Sequence, residues 1–152
     1  MTKRDYYIGI ALAVSKKSTC LKKQYGAVIV KDDEVIATGY NDTCRKEPHC
    51  TTCTKVSGDG DMKEYATCPA VHAEMNAIIS ASRNEMLGAD LYLAGYEKAT
   101  GKENQEARPC EICLRLIKNA GIYRVINHTG TIYERFAEDG ILYDLKGGKW
   151  YD

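Results

Sequence analysis

His72-Ala73-Glu74-Met75-Asn76-Ala77-Ile78-Ile79, read together with Pro109-Cys110-Glu111-Ile112-Cys113, decides how this chain folds. Cys110 and Cys113 stand at i and i+3, so both lie on one face of a helix's first turn. Pro109 suits a helix start, where its missing N–H costs nothing. His72 and Glu74 stand at i and i+2, and such residues do not face one another inside a helix. Both border one pocket only if they sit at a helix's N-terminal end. Cys68-Pro69 before them and the run Met75–Ile79 after them agree with that placement. The two segments therefore predict two helices whose N-termini converge, with dipoles that favour thiolates at Cys110 and Cys113.

The side chains brought together have a definite chemistry. One histidine and two thiolates fill three of the four tetrahedral positions that Zn²⁺ prefers, leaving the fourth open. His72, Cys110 and Cys113 are thus candidate metal ligands, in the layout of a catalytic site. Two thiolates and a neutral imidazole cancel the metal's charge, which weakens it as a Lewis acid. A carboxylate nearby would compensate. Glu74 is the candidate catalytic acid–base group, placed to take a proton from water and hand it on. A lone C-x-x-C is often a zinc knuckle or a redox pair, and a lone H-x-E is noise. Their conjunction on two predicted helices carries the reading.

The rest of the chain supplies a frame. Its 152 residues suit one domain spanning 1–152. Asp5 could cap a first helix running to about Cys20. Strands are expected at Tyr25–Val30 and Val35–Asn41, joined as a hairpin through Lys31–Glu34. Thr43 to Thr67 reads as an irregular, cysteine-bearing excursion. The first ligand helix should run from Val71 to Asn84, followed by a strand at Leu91–Ala94 and a loop from Glu97 to Ala107. A helix over Cys110–Ala120 should end at Gly121. A strand at Ile122–Ile126, a short helix at Thr131–Glu138 and a strand at Ile141–Tyr143 complete the order. This succession predicts an α/β fold, with a mixed sheet covered by helices on both faces. The tail Gly147–Tyr151 could dock on a neighbour.

Composition excludes several classes. Lys plus Arg and Asp plus Glu both number 21, so the formal net charge is zero. That disfavours a polynucleotide partner, which calls for a basic face. No apolar run is long enough to span a bilayer. The N-terminus opens an amphipathic stretch and not a signal peptide. Seven cysteines in such a chain point to a reducing, cytoplasmic setting and to metal binding over disulfides.

The pattern H-x-E followed by P-C-x-x-C is that of the zinc-dependent nucleobase deaminases. The chain resembles the cytidine/deoxycytidylate deaminases, most closely the dCMP branch, from about Asp5 to Ile126. The stretches that carry the likeness are Cys20–Val30, Thr38–Asn41, Cys68–Ile79 and Arg108–Gly121. The resemblance implies a three-layer α-β-α cytidine-deaminase-like fold with a mixed five-stranded sheet. It implies hydrolytic deamination of dCMP to dUMP, one catalytic Zn²⁺ and a homo-oligomer. It places the backbone of Gly26-Ala27 beside the base, the backbone of Ala73 at the cytosine edge and Asn41 at the sugar. Asn41 could instead make a turn with Asp42. Another cytidine-type or modified nucleoside or nucleotide, or a tRNA adenosine, is the alternative substrate. A zinc-bearing domain without activity is the non-enzymatic alternative, and Glu74 speaks against it.

One departure from the family stands out. Gly95 to Ala107 separates the third strand from the second motif, where the family often has a few residues. Arg108 could pair with a 5′-phosphate or be an ordinary surface arginine. Lys16-Lys17 and Lys22-Lys23 could meet a phosphate or be solvated. Five cysteines remain after the ligands are assigned. Cys50-Thr-Thr-Cys53 has zinc-knuckle spacing, and some dCMP deaminases carry an extra zinc. A second, structural Zn²⁺ held by Cys20, Cys50, Cys53 and Cys68 is expected, with Cys44 or His49 as replacements and buried free thiols as the alternative.

Overall fold

The computed structural model describes residues 1–53 and 67–136, and the backbone of 141–144 and 148–150. Helix α1 spans Lys3–Ser15. Thr2 caps it, its hydroxyl accepting the Asp5 N–H at 3.0 Å. The expected cap at Asp5 is therefore displaced to Thr2, a better-placed hydroxyl, and the helix stops before Cys20. Strands β1 (Lys23–Lys31) and β2 (Glu34–Tyr40) pair antiparallel, with Lys31 opposite Glu34. Asp32 and Asp33 between them both take positive φ, 51° and 62°, the geometry a two-residue hairpin favours. The Tyr7 hydroxyl donates to the Asp33 carboxylate at 2.7 Å and ties α1 to this turn.

Two short strands follow. β3 (Asp42–Thr43) pairs with β4 (Ala70–Val71), closing the excursion into a loop whose ends stand directly before His72. Residues 54–66 of that excursion lie outside the described residues. Next come α2 (Ala73–Ile79), α3 (Arg83–Met86), β5 (Asp90–Glu97), α4 (Glu111–Ala120), β6 (Arg124–Asn127), β7 (Gly130–Phe136), β8 (Ile141–Asp144) and β9 (Gly148–Trp150). The main sheet has the order β2-β1-β5-β6-β7-β8-β9. β5 and β6 run parallel across the α4 crossover, and the other pairs are antiparallel.

The strand alternation builds two cores. Ala27, Ile29, Leu91 and Leu93 point to one face, where they pack with Ala73 and Ala77 of α2 and Leu114 and Ile117 of α4. Val28, Val30, Tyr92 and Ala94 point to the other, beneath Tyr7, Ile8 and Ala11 of α1. Ile29, Leu91, Leu93 and Ile117 are almost completely buried. Each contributes roughly 1.5–3 kcal/mol through burial. The layers are thus α1, the sheet, and the α2/α4 pair.

The three-layer arrangement and the five expected strands are present, and the sheet continues beyond them. Thr131–Glu138 does not begin as a helix. Gly130–Phe136 is β7, paired with β6 through Arg124↔Glu134 and Val125↔Tyr133. Pairing and the burial of Ile132 and Tyr133 override the weak helical reading. Within the expected docking tail, Gly148–Trp150 pairs with β8 as β9, while Gly147 and Tyr151 lie outside the described residues. The first ligand helix also ends early, at Ile79. Ser82 opens α3 with a capping box, accepting the Glu85 N–H at 3.2 Å while Glu85 accepts the Ser82 N–H at 3.0 Å.

Candidate metal centre and active site

α2 and α4 bring their N-terminal ends to one place. His72 caps α2 with φ −72° and ψ 157°, and Cys110 caps α4 with φ −70° and ψ 169°. Both residues are extended; the Cys110 side chain accepts a first-turn N–H, whereas the His72 side chain makes no cap hydrogen bond and is left to face the cysteines. Cys113 sits in the first turn of α4, and its N–H donates to Cys110 Sγ at 3.5 Å. His72 Nδ1 lies 3.5 Å from Cys110 Sγ and 3.3 Å from Cys113 Sγ. In a tetrahedral zinc site, nitrogen and sulfur ligands are separated by about 3.6 Å. The donor set therefore fits zinc. Among the described residues this is the group of three possible ligands whose donor atoms all lie within 4.8 Å of one another.

The packing that fixes these ends is local. A Cβ at Gly39 of β2 would stand 2.3 Å from Ala77 N and 2.4 Å from Ala73 O, so only glycine lets α2 lie this close. Asn76 donates to the Tyr40 carbonyl at 2.8 Å and holds α2 against the end of β2. Gly121 ends α4 in the left-handed region at φ 83°, as expected. Fully buried Asn127 donates to the Ala107 carbonyl at 2.9 Å, clamping the segment that enters Pro109-Cys110.

Electrostatics suit proton transfer and metal capture. Glu74 is 5% exposed. Burial pushes its carboxyl pKa up, against the opposing pull of its own backbone N–H and of His72. A raised carboxyl suits a group that both takes and gives a proton. The hydrogen bond from the Cys113 thiol, helped by His72, brings Cys110 down to about 3. That same bond and burial push Cys113 up. The pair holds one thiolate ready and yields its remaining proton when a metal binds.

A cavity of about 310 Å³ opens over the ligands. His72, Ala73, Glu74 and Cys110 form its floor, and Asn41, Leu93 and Arg108 contribute to its walls. Cys113 is buried beneath it. Gly26 and Ala27 do not line it: Gly26 backs onto α1, and Ala27 is buried in the core on the α2 side. The Asn41 amide accepts the Tyr25 N–H and donates to the Lys23 carbonyl, both at 2.8 Å. An amide offers two donor hydrogens and two lone pairs, so one of each remains for a ligand. Arg108 donates to the Tyr133 hydroxyl at 2.8 Å, and its guanidinium stands 5.3 Å from that ring. Lys22 and Lys23 line the same cavity, whereas Lys16 stacks over Tyr96 at 3.5 Å.

Cys20, Cys50, Cys53 and Cys68 also line this cavity. Burial first, then the nearby Cys68, Cys20, Cys53 and Asp42, push the Cys50 thiol up. The four gather around Cys50, but more loosely than the His72 group. Cys44 is exposed. His49 Nδ1 is engaged 3.0 Å from Thr19 Oγ1 and 3.2 Å from Asp42 Oδ1. Sequence reasoning missed Tyr25, Asn76 and Asn127. Asn76, three residues after Ala73 on the ligand helix, carried the one available signal.

A sheet that presents histidine and two cysteines at converging helix N-termini, with a buried carboxyl between them, defines the zinc-dependent nucleobase deaminase class. This chain belongs to the cytidine and deoxycytidylate deaminases: residues 1–129 match the family's zinc-binding region. It is 38% identical to the deoxycytidylate deaminase of Mycobacterium phage D29 over 128 residues, covering 80% of this chain and 91% of that protein. It is 36% identical to the deoxycytidylate deaminase of Schizosaccharomyces pombe, covering 82% of this chain but 36% of that longer protein. The fold is similar to the crystal structure of dCMP deaminase from the cyanophage S-TIM5 in complex with dCMP and dUMP, with TM-score 0.58, 24% identity and 83% and 82% of the two chains covered.

Proposed function

We propose that this protein hydrolyses dCMP to dUMP and ammonia. The placement of Glu74's buried carboxyl in one cavity with His72 and Cys110 carries the reading. Held by His72, Cys110 and Cys113, zinc supplies a Lewis-acidic position for a water. Glu74 accepts a proton from the attacking water, donates one to N3 of the cytosine and later carries one to the leaving amine. The backbone at Ala73 reads the base edge. Asn41 offers its remaining donor and lone pair to the sugar. Lys22, Lys23 and Arg108 meet the 5′-phosphate, Arg108 being oriented by Tyr133. These cations favour a nucleotide over a free nucleoside, and the names of the phage and yeast relatives favour dCMP.

Three further points belong to this reading. Cys20, Cys50, Cys53 and Cys68 hold a second, structural zinc, with Cys50 at the centre of the set. Residues 1–152 form one deaminase domain that works as a homo-oligomer. Its setting is cytoplasmic, in keeping with seven cysteines that form no disulfide. Among the described residues no helix is long and apolar enough to cross a membrane. Ammonia release across dCMP, CMP, deoxycytidine, cytidine, dCTP and a tRNA anticodon stem tests the assignment. dCMP should give the highest kcat/KM. Equal values for dCMP and deoxycytidine would refute the nucleotide reading.

A further inference from the structure

Arg108 of the loop between β5 and α4 lines the cavity directly, and Asn104 of the same loop reaches it through a neighbour. Asn104 Nδ2 donates to the Tyr25 hydroxyl at 3.2 Å. Tyr25 lines the cavity, while Asn104 does not. Asn104 is itself fixed on three sides. Its N–H donates to the Gly95 carbonyl at 2.9 Å, its carbonyl accepts the Ala107 N–H at 3.3 Å, and its Oδ1 accepts the Glu106 N–H at 3.1 Å. The ring it holds lies across Gly95, the residue opposite Tyr25 in the β1–β5 register. A Cβ at Gly95 would come within 2.2 Å of Tyr25 Cδ1. The ring thus has its position set from below by a missing side chain and at its tip by the loop.

Its neighbour says which end of a ligand it faces. Tyr25 and Asn41 are bonded reciprocally: the Tyr25 N–H reaches Asn41 Oδ1 at 2.8 Å, and the Asn41 N–H reaches the Tyr25 carbonyl at 3.3 Å. Lys22 and Lys23 precede Tyr25 on the same wall. We infer that the Tyr25 ring is the specificity-determining wall at the sugar of the nucleotide, and that Asn104 is the positioning residue that keeps it there. A ring held at both ends rejects a bulkier sugar, and a ring released at its tip gives way to one. The inference rests on the nucleotide-deaminase reading above.

The test compares kcat/KM for dCMP and CMP in wild type, Tyr25→Phe, Asn104→Ala and the double variant. Each single change should lower the dCMP:CMP preference by about three- to tenfold, the effect of one net hydrogen bond. The loss should fall more on KM than on kcat for dCMP, because the proton-moving end of the cavity is untouched. The double variant should lose no more than either single one, since both remove the same bond. Asn104→Asp should restore the preference, because its carboxylate can accept the proton that a tyrosine hydroxyl donates. Tyr25→Phe leaves the loop's backbone bonds intact and so separates the ring from any loss of loop structure. An active wild type whose preference is unmoved in Tyr25→Phe and Asn104→Ala overturns this inference alone, as do losses that multiply in the double variant. A wild type that deaminates neither nucleotide removes the nucleotide reading and this inference with it.

Discussion

The two cysteine-bearing walls of the cavity are built in opposite ways. His72, Cys110 and Cys113 stand on helix N-termini pressed against the sheet, with donor atoms 3.3 and 3.5 Å from the imidazole. Cys20, Cys50, Cys53 and Cys68 stand on turns and irregular backbone and gather more widely. The first set is placed by packing of its helices, at Gly39, Asn76 and Asn127. The second has little packing of its own, so a metal there would contribute order and not merely use it. The contrast separates a site the fold makes from a proposed site that would help make the fold.

Removing a ligand from the packed wall should have the largest effect. His72→Ala or Cys113→Ala should abolish ammonia release and lower the zinc count by one per chain, while far-ultraviolet circular dichroism stays near wild type. Unfolding of these variants would mean that the first wall also depends on its metal. Gly39→Ala attacks the packing itself. Its methyl would meet the α2 backbone, and overpacking of this kind costs about 1–3 kcal/mol, read as a lower denaturant midpoint. An unchanged midpoint would show that α2 is not held where the contact suggests.

Cys50→Ser probes the looser wall. Zinc per chain should fall from two to one by elemental analysis, and the thermal midpoint should drop while kcat per folded molecule is largely kept. One zinc per chain in fully active wild-type protein would end the idea of a second site. The smallest effect should come from Asp90→Asn, which lies on neither wall. Arg124 donates to both oxygens of Asp90, at 2.8 and 2.6 Å, across the β5–β6 pair. Both groups are partly exposed, so the loss should be at most about 1 kcal/mol with no change in metal content. A change in zinc count there would show that sheet and metal centre are coupled more tightly than the packing implies.

The same contrast explains what the sequence disclosed. His72-x-Glu74 and Pro109-Cys110-x-x-Cys113 were legible because cap positions and i, i+3 spacing are local geometry. The hairpin was legible from two apolar runs around Asp32-Asp33. The break after Ile79 was also written locally, in Ser82-x-x-Glu85, but a continuous helical pattern from Val71 concealed it. β7 was misread because its strand character comes from pairing with β6 and burial of Ile132 and Tyr133, which are tertiary facts. The Asn104–Tyr25 contact joins residues 79 apart in sequence, so no spacing rule could have found it.

Glu74→Gln most directly tests the central claim that the buried carboxyl moves protons and does not hold the metal. Zinc content and dUMP formation from dCMP should be measured on the same purified sample. Full zinc occupancy with turnover reduced at least ~10²–10⁴-fold is the expected result. Near-normal turnover in the zinc-loaded variant would contradict it.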